Sequence, residues 1–248
     1  MTKTLGLIGS GMIGSTVARL AVAAGLDVVL SNSRGPETLA DLVAELGDRA
    51  RAATPAEAAQ AGDLVVATIP LHAYDQLPAG ALAGKTVIDT LNYYPDRDGR
   101  IAALDARETT SSELVQRHLV DSHVVKGFNN IGARQLFTLA RPAGASDRSA
   151  LPIAGDDGAA KAQVGQLLDA LGHDAVDFGT LADSWRSEPG TPVYVMSYLG
   201  ERPEGLSQEE TFRWMFETPG VAVPADRVRE LVDAAVRGAE NLSFMQRD

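Results

Sequence analysis

The pattern of apolar and polar positions in the first thirty residues changes period twice. Thr4 to Ile8 is a short apolar run, Met12 to about Ala24 carries apolar side chains at helical spacing, and Asp27 to Leu30 is a second short run. Short apolar runs bounded by turn residues predict buried strands, and a 3.6-residue period predicts an amphipathic helix. The reading is strand, tight turn, helix, strand.

The alternation continues along the chain. Leu39, Leu42, Val43 and Leu46 predict a helix over Thr38 to Leu46 that Gly47 ends, and Ala50 to Ala53 predicts a short strand. Thr54-Pro55 with Glu57 reads as an N-cap, a first-turn proline and an early acid, opening a helix to Ala61. Leu64 to Ile69 is apolar but for Thr68, as a central parallel strand covered on both faces should be. Further strands are predicted over Lys85 to Thr90, His123 to Lys126, Leu151 to Ala154 and Ala175 to Phe178. Between them come a helix over Ser111 to His118 behind a Thr110/Glu113 capping box, a short one over Ala133 to Leu139, and one over Ala159 to Leu171. Tyr93 to Arg100 reads as a polar loop outside the core, and Arg141 to Arg148 as an exposed one.

From Leu181 the alternation stops. The remaining residues read as helices over Pro192 to Leu199, Ser207 to Phe216 and Ala225 to Glu240. The expected fold is therefore α/β: a Rossmann-type doubly wound, mostly parallel sheet over residues 1–180. A small helical C-terminal domain over 181–248 would close a cleft, form a dimer interface, or both.

The first turn, Gly9-Ser10-Gly11-Met12-Ile13-Gly14, carries the first chemistry. After a strand and opening a helix, such glycines make a tight turn, admit a pyrophosphate to the backbone and allow close helix–strand packing, while the free amides of the helix start face the anion. At the end of the second strand an NAD site usually offers a carboxylate to the ribose. Here the residues are Ser31-Asn32-Ser33-Arg34-Gly35. Two hydroxyls and a guanidinium suit a 2′-phosphate, which predicts NADP(H) with Arg34 as the main discriminator.

The other candidates lie where strands end at the ligand edge of such a sheet. Thr68-Ile69-Pro70 with His72 follows the central strand, and Asn92 follows the next. After His123 to Lys126 comes Gly127-Phe128-Asn129-Asn130-Ile131-Gly132, where an apolar ring and amides suit a planar ligand with a polar rim.

Composition narrows the setting. The 248 residues are 45% hydrophobic, enough for one sizeable α/β domain and an appendage. There is no cysteine, which excludes disulfides and thiolate metal sites, and the scattered histidines predict no metal ligation. With 22 basic against 33 acidic residues the net charge of −11 opposes a general nucleic-acid or anionic-membrane role. No apolar run reaches membrane-spanning length, so the expectation is a cytoplasmic protein acting on a small-molecule redox substrate.

With the glycine turn, Ser-Asn-Ser-Arg, Thr68-Ile69-Pro70, Lys126 to Ile131 and Ile153-Ala154-Gly155-Asp156-Asp157 in hand, the chain resembles the NADPH-dependent coenzyme F420 reductases, well over residues 1–180 and loosely beyond. The resemblance implies direct hydride passage between the nicotinamide and a deazaflavin, coenzyme F420, stacked on it. It also implies NADP contacts from Ser10, Gly11, Met12, Ile13, Ser33, Arg34, Thr68, Ile69 and Pro70, with Asn129, Ile131 and Ala133 near the stacked rings. The family's small nucleotide domains further suggest a homodimer. Arg134, Arg141, Arg148 and Arg186 are candidates for the deazaflavin's anionic tail.

Hydride transfer between two held rings requires orientation more than a protein acid. Reduction of a small carbonyl or imine compound, the alternative, requires a positioned proton donor, for which Lys126 comes first, then Tyr194 and His72. A third reading is an NADPH-sensing protein without catalysis.

Overall fold

The computed structural model describes residues 3–237. Strands β1 (Thr4–Ile8), β2 (Asp27–Ser31), β3 (Ala50–Ala52), β4 (Leu64–Ala67), β5 (Thr86–Asp89), β6 (His123–Lys126), β7 (Ala150–Gly155) and β8 (Asp174–Asp177) form one sheet of order β3-β2-β1-β4-β5-β6-β7-β8. The first six are parallel, with the order reversing beside β1, so the ligand crevice of a doubly wound sheet opens between the C-terminal ends of β1 and β4. This is the Rossmann-type, mostly parallel architecture expected.

The parallel strands are buried along nearly their whole length because helices cover both faces. In chain order these are α1 (Met12–Ala23), α2 (Ala40–Leu46), α3 (Pro55–Ala61), α4 (Ala79–Leu82), α5 (Pro95–Asp98), α6 (Ala102–Asp105), α7 (Ser111–His118), α8 (Ala133–Thr138), α9 (Gly158–Ala170), α10 (Met196–Leu199), α11 (Gln208–Glu217) and α12 (Ala225–Asp233). The capping boxes expected at Thr54/Glu57 and Thr110/Glu113 are both formed. Among the described residues no helix is long and apolar enough to cross a membrane.

Two strands depart from the common direction, because β8 runs parallel to β7. β7 pairs antiparallel with β6, Val125 opposite Gly155 and Lys126 opposite Ala154, so its first residues run past the end of β6 on the ligand side. There Ala150 binds the C-terminal region twice: its amide donates to Val223 O and its carbonyl accepts from the Tyr198 hydroxyl. α12 packs on β7 and β8, and Val193, Tyr198, Val228, Leu231 and Val232 share one buried cluster with Leu5, Leu7 and Val66. The same apolar core thus continues on both sides of residue 180.

Several segments differ from the sequence reading. The supposed loop Tyr93 to Arg100 contains α5, and its Asp98 side chain is fully buried because Tyr94 N, Arg97 and His72 all donate to it. Burial alone would raise the Asp98 pKa, but these donors hold it below the usual carboxylate range. Arg148 is likewise buried rather than in an exposed loop, bound to Asp169 and Asp174 and to three backbone carbonyls. The helix expected from Pro192 begins at Met196, and the one expected from Ala225 to Glu240 spans Ala225–Asp233, its last three positions lying outside the described residues.

Candidate active site

At the head of α1 the three glycines have different surroundings. Gly9 has φ +107, and a Cβ there would lie 2.2 Å from Thr68 O. At Gly14 a Cβ would lie 2.2 Å from Gly9 O and 2.8 Å from Thr68 Cγ2. Both positions are therefore closed by the fold itself. Gly11 is the reverse: no atom lies within 4 Å of an added Cβ. It is the N-cap of α1 and no side chain caps that end, so the first amides are free and the space before them is open, as a pyrophosphate requires. Met12 is exposed beside it, and Ile13 is partly buried against the core. Ser10 Oγ donates to Ser31 O at 2.9 Å, tying the turn to the end of β2.

The second turn corrects the sequence reading in two respects. Ser31 is fully buried and its hydroxyl donates to Leu7 O at 2.8 Å, so it closes the β1–β2 seam and offers nothing to a nucleotide. The turn is also not free of carboxylates. Glu37 folds back so that a Cβ on Gly35 would meet its Oε1 at 2.3 Å. Asn32 shapes this turn, accepting from Arg34 N and donating to Thr38 Oγ1. Ser33 and Arg34 are exposed, and the Arg34 guanidinium has no hydrogen-bond or ion-pair partner among the described residues.

Thr68 and Ile69 line the closed side of the glycine turn, and Pro70 is exposed at the lip. His72 Nδ1 lies 3.1 Å from Asp98 Oδ1, so its ring is engaged by the loop after β5.

The turn after β6 has a different role from the one its residues suggested. Phe128 and Ile131 are buried in the main core cluster, Phe128 with φ +59. Asn129 Nδ2 donates to Ser187 O and to Asn92 Oδ1, while Asn92 Nδ2 donates to Asn129 O. The fully buried Asn130 donates to Val193 O and the Tyr198 hydroxyl, and its carbonyl accepts from Val195 N. These amides fasten the segment 187–195 across the ligand edge rather than facing open space. Of the substrate candidates Ala133 lines a cavity of about 360 Å³ that also involves Met12, Arg19, Arg134, Phe137 and Phe216.

The proposed donors fare differently. Lys126 is fully buried; its Nζ donates to Leu91 O and to Ser111 Oγ at 3.1 Å, and lies 3.4 Å from Asp89 Oδ2 and 3.9 Å from Glu188 Oε1. Ser112 Oγ binds the same Asp89 at 2.6 Å, and Ser111 Oγ binds Glu188 at 2.5 Å. An ammonium committed to two carboxylates beneath the sheet end cannot reach a substrate, which corrects the expectation of Lys126 as acid. Tyr194 does lie at the edge, its hydroxyl bonded to that of Tyr94, a residue the sequence reading did not single out. Burial first, then the neighbouring Tyr94, pushes the Tyr194 pKa far up; burial also raises Tyr94, against the opposing effects of its bond to Tyr194 and of Arg97.

Three of the four arginines assigned to an anionic tail are committed elsewhere: Arg141 to Asp147, Arg148 to Asp169 and Asp174, and Arg186 to the Trp185 face and Val232 O. Arg134 is exposed and its guanidinium has no described partner.

Residues 4–93 match the family model described as NADP oxidoreductase, coenzyme F420-dependent. Over those residues the chain is similar to that family. It is an NADP-dependent oxidoreductase. Among solved structures, a hypothetical protein from Sinorhizobium meliloti is 28% identical, with a TM-score of 0.68 over 79% of this chain and 94% of that one. A protein from Arthrobacter sp. FB24, assigned as an F420-dependent NADP reductase, is also 28% identical, with a TM-score of 0.62 over 74% and 87% of the two chains. A 3-hydroxyisobutyrate dehydrogenase from Mycobacterium tuberculosis, 18% identical with a TM-score of 0.52 over 73% of this chain and 56% of that one, shares the fold. Comparison with curated proteins finds no match.

Proposed function

We propose that the protein passes a hydride directly between NADP(H) and a deazaflavin of the coenzyme F420 type. The reading rests on one observation: Lys126 and His72, the two cationic or imidazole candidates for a proton donor at the ligand edge, are both committed to carboxylates within the fold. A ring that spreads the arriving charge needs orientation, whereas an isolated alkoxide needs an acid. The family over residues 4–93 supports the same acceptor, as does the assigned activity of the Arthrobacter relative.

In this reading the open space at Gly11 and the free amides of α1 receive the pyrophosphate, Ser33 and Arg34 the 2′-phosphate, and Thr68, Ile69 and Pro70 the ribose and nicotinamide. The chemistry such a cofactor supplies is the hydride itself; the protein supplies orientation and charge. Mixing the protein with NADPH and oxidised coenzyme F420 should bleach the deazaflavin's visible absorbance in step with NADPH loss. NADPH consumption with a small ketone or imine, and none with the deazaflavin, would overturn the reading in favour of the carbonyl or imine alternative.

Arg34→Glu should raise the Kd for NADPH relative to NADH by about 10- to 100-fold, the worth of a charge-assisted hydrogen bond. Glu37→Gln should shift the ratio the other way, because it removes a negative charge folded onto this turn. Fluorescence titration with both nucleotides reads each change, and an unmoved ratio in Arg34→Glu would overturn the placement of the 2′-phosphate.

A further inference from the structure

The segment 187–195 is held over the ligand edge more firmly than a linker needs to be. Asn129 grips Ser187 O, Asn130 grips it on both sides of Tyr194 through Val193 O and Val195 N, and Glu188 contacts the buried Ser111 and Lys126. Val195, a β-branched residue, sits at φ +45, where such side chains are costly to hold and are found where position matters. What all this fixes is Tyr194, whose hydroxyl meets that of Tyr94 from the loop after β5. Tyr94 is fixed in turn: its amide donates to the buried Asp98, and the Arg97 guanidinium lies 4.7 Å over its ring.

Two phenols in contact have two O–H groups but share only one in the bond between them. Neither hydroxyl has another partner among the described residues. One O–H is therefore left over, at the edge where the ends of β5 and β6 meet. We propose that the Tyr94–Tyr194 pair donates this hydrogen bond to a conjugated carbonyl oxygen of the hydride acceptor, the atom on which negative charge collects as the hydride arrives.

The inference rests on the hydride-transfer reading and names the group that meets the acceptor. In the step, the C–H bond at the dihydronicotinamide breaks with its electron pair and a new C–H bond forms on the acceptor. The acceptor's displaced π pair moves to the conjugated oxygen, which the pair's O–H stabilises and which water protonates afterwards. A phenol held neutral by its surroundings suits this task, since it donates a hydrogen bond without giving up its proton.

Tyr94→Phe, Tyr194→Phe and the double variant test it, with NADPH and oxidised coenzyme F420 as the probes. Each single variant should lower kcat by about 10- to 100-fold, near the loss seen when one charge-stabilising donor is removed. NADPH affinity should be unchanged. The double variant should lose at least as much as the poorer single one, because a single variant keeps one O–H, no longer held in place by its partner, whereas the double variant keeps none. Binding of oxidised coenzyme F420, followed by the shift of its visible band, should weaken in the same three proteins and supplies a readout independent of turnover. Unchanged kcat and band shift in the single variants would overturn the proposal. So would losses that multiply in the double variant and follow falling melting temperature, the mark of a purely structural tie. If the wild type neither binds nor reduces the deazaflavin, the functional reading falls and the proposal with it; if it reduces it and the variants do so equally well, only the proposal falls.

Discussion

Gly11→Val is expected to abolish NADPH binding while leaving the melting temperature where it was. No atom lies within 4 Å of a Cβ at this position, and its φ of −73 and ψ of −164 are extended backbone open to valine. The fold has no objection to the side chain. A pyrophosphate does, because it must come within hydrogen-bond distance of the amides at the head of α1, roughly 2.9 Å. Loss of that approach should cost at least ~100-fold in Kd, or about 2.7 kcal/mol.

Gly14→Ala should behave differently. Its Cβ would stand 2.2 Å from Gly9 O, a backbone atom fixed by the Gly9 N to Ser31 O bond, and α1 would have to shift off the sheet. Overpacking of this kind costs about 1 to 3 kcal/mol. Stability and NADPH affinity should fall together. Fluorescence titration and thermal melts on both variants read the contrast; a Gly11→Val protein that binds NADPH as well as wild type would remove the pyrophosphate from this turn.

Lys126→Met is expected to be the most destabilising single change in the sheet. Removing the ammonium leaves Asp89, fully buried, and Glu188, nearly so, without their cation. Breaking a buried pair from one side typically costs about 3 to 5 kcal/mol because the partner's desolvation is no longer offset. At roughly 2 to 4 °C per kcal/mol for a chain of this size, the melting temperature should drop by several degrees to more than ten.

Adding Asp89→Asn and Glu188→Gln should recover part of that loss, since neutral amides need no counter-charge. If Lys126 were instead the catalytic acid, Lys126→Met would lose activity at an unchanged melting temperature. Thermal denaturation beside turnover separates the two roles.

The glycine turn was legible because its constraints are local. A glycine whose Cβ would strike a carbonyl from the adjoining turn leaves its mark at a fixed spacing from strand and helix, and Gly9, Gly11 and Gly14 each stand where that spacing requires. The strands were legible for a similar reason, their burial on both faces forcing continuous apolar runs. Ser31 was misread because a hydroxyl at a strand end serves a nucleotide or a neighbouring carbonyl equally well, and the partner, Leu7 O, is 24 residues away in the chain. Glu37 was missed because it lies beyond the expected acid position and reaches Gly35 only through the backbone turn at Gly35 and Pro36.

The amides after β6 were the largest misreading. Asn129 and Asn130 have the composition of a ligand rim, but their partners are Ser187, Val193, Val195 and Tyr198, some 60 residues on. Pairings across that distance leave no periodicity to read. Tyr94 escaped notice for the same reason, since it acquires meaning only from Tyr194, 100 residues later.

By itself the amino-acid sequence determined the eight strands, most of the helices between them and the glycine turn, and it carries the expectation of an extra phosphate, because each follows from short-range sterics, periodicity or charge. Only the tertiary structure decided which polar groups remain free for a ligand. Hydrogen-bonding capacity belongs to a side chain, but whether it is already used depends on what the fold brings within 3 Å of it. Lys126, Ser31 and Asn129 were used up in building the edge, whereas the Arg34 guanidinium and one O–H of the Tyr94–Tyr194 pair were left over.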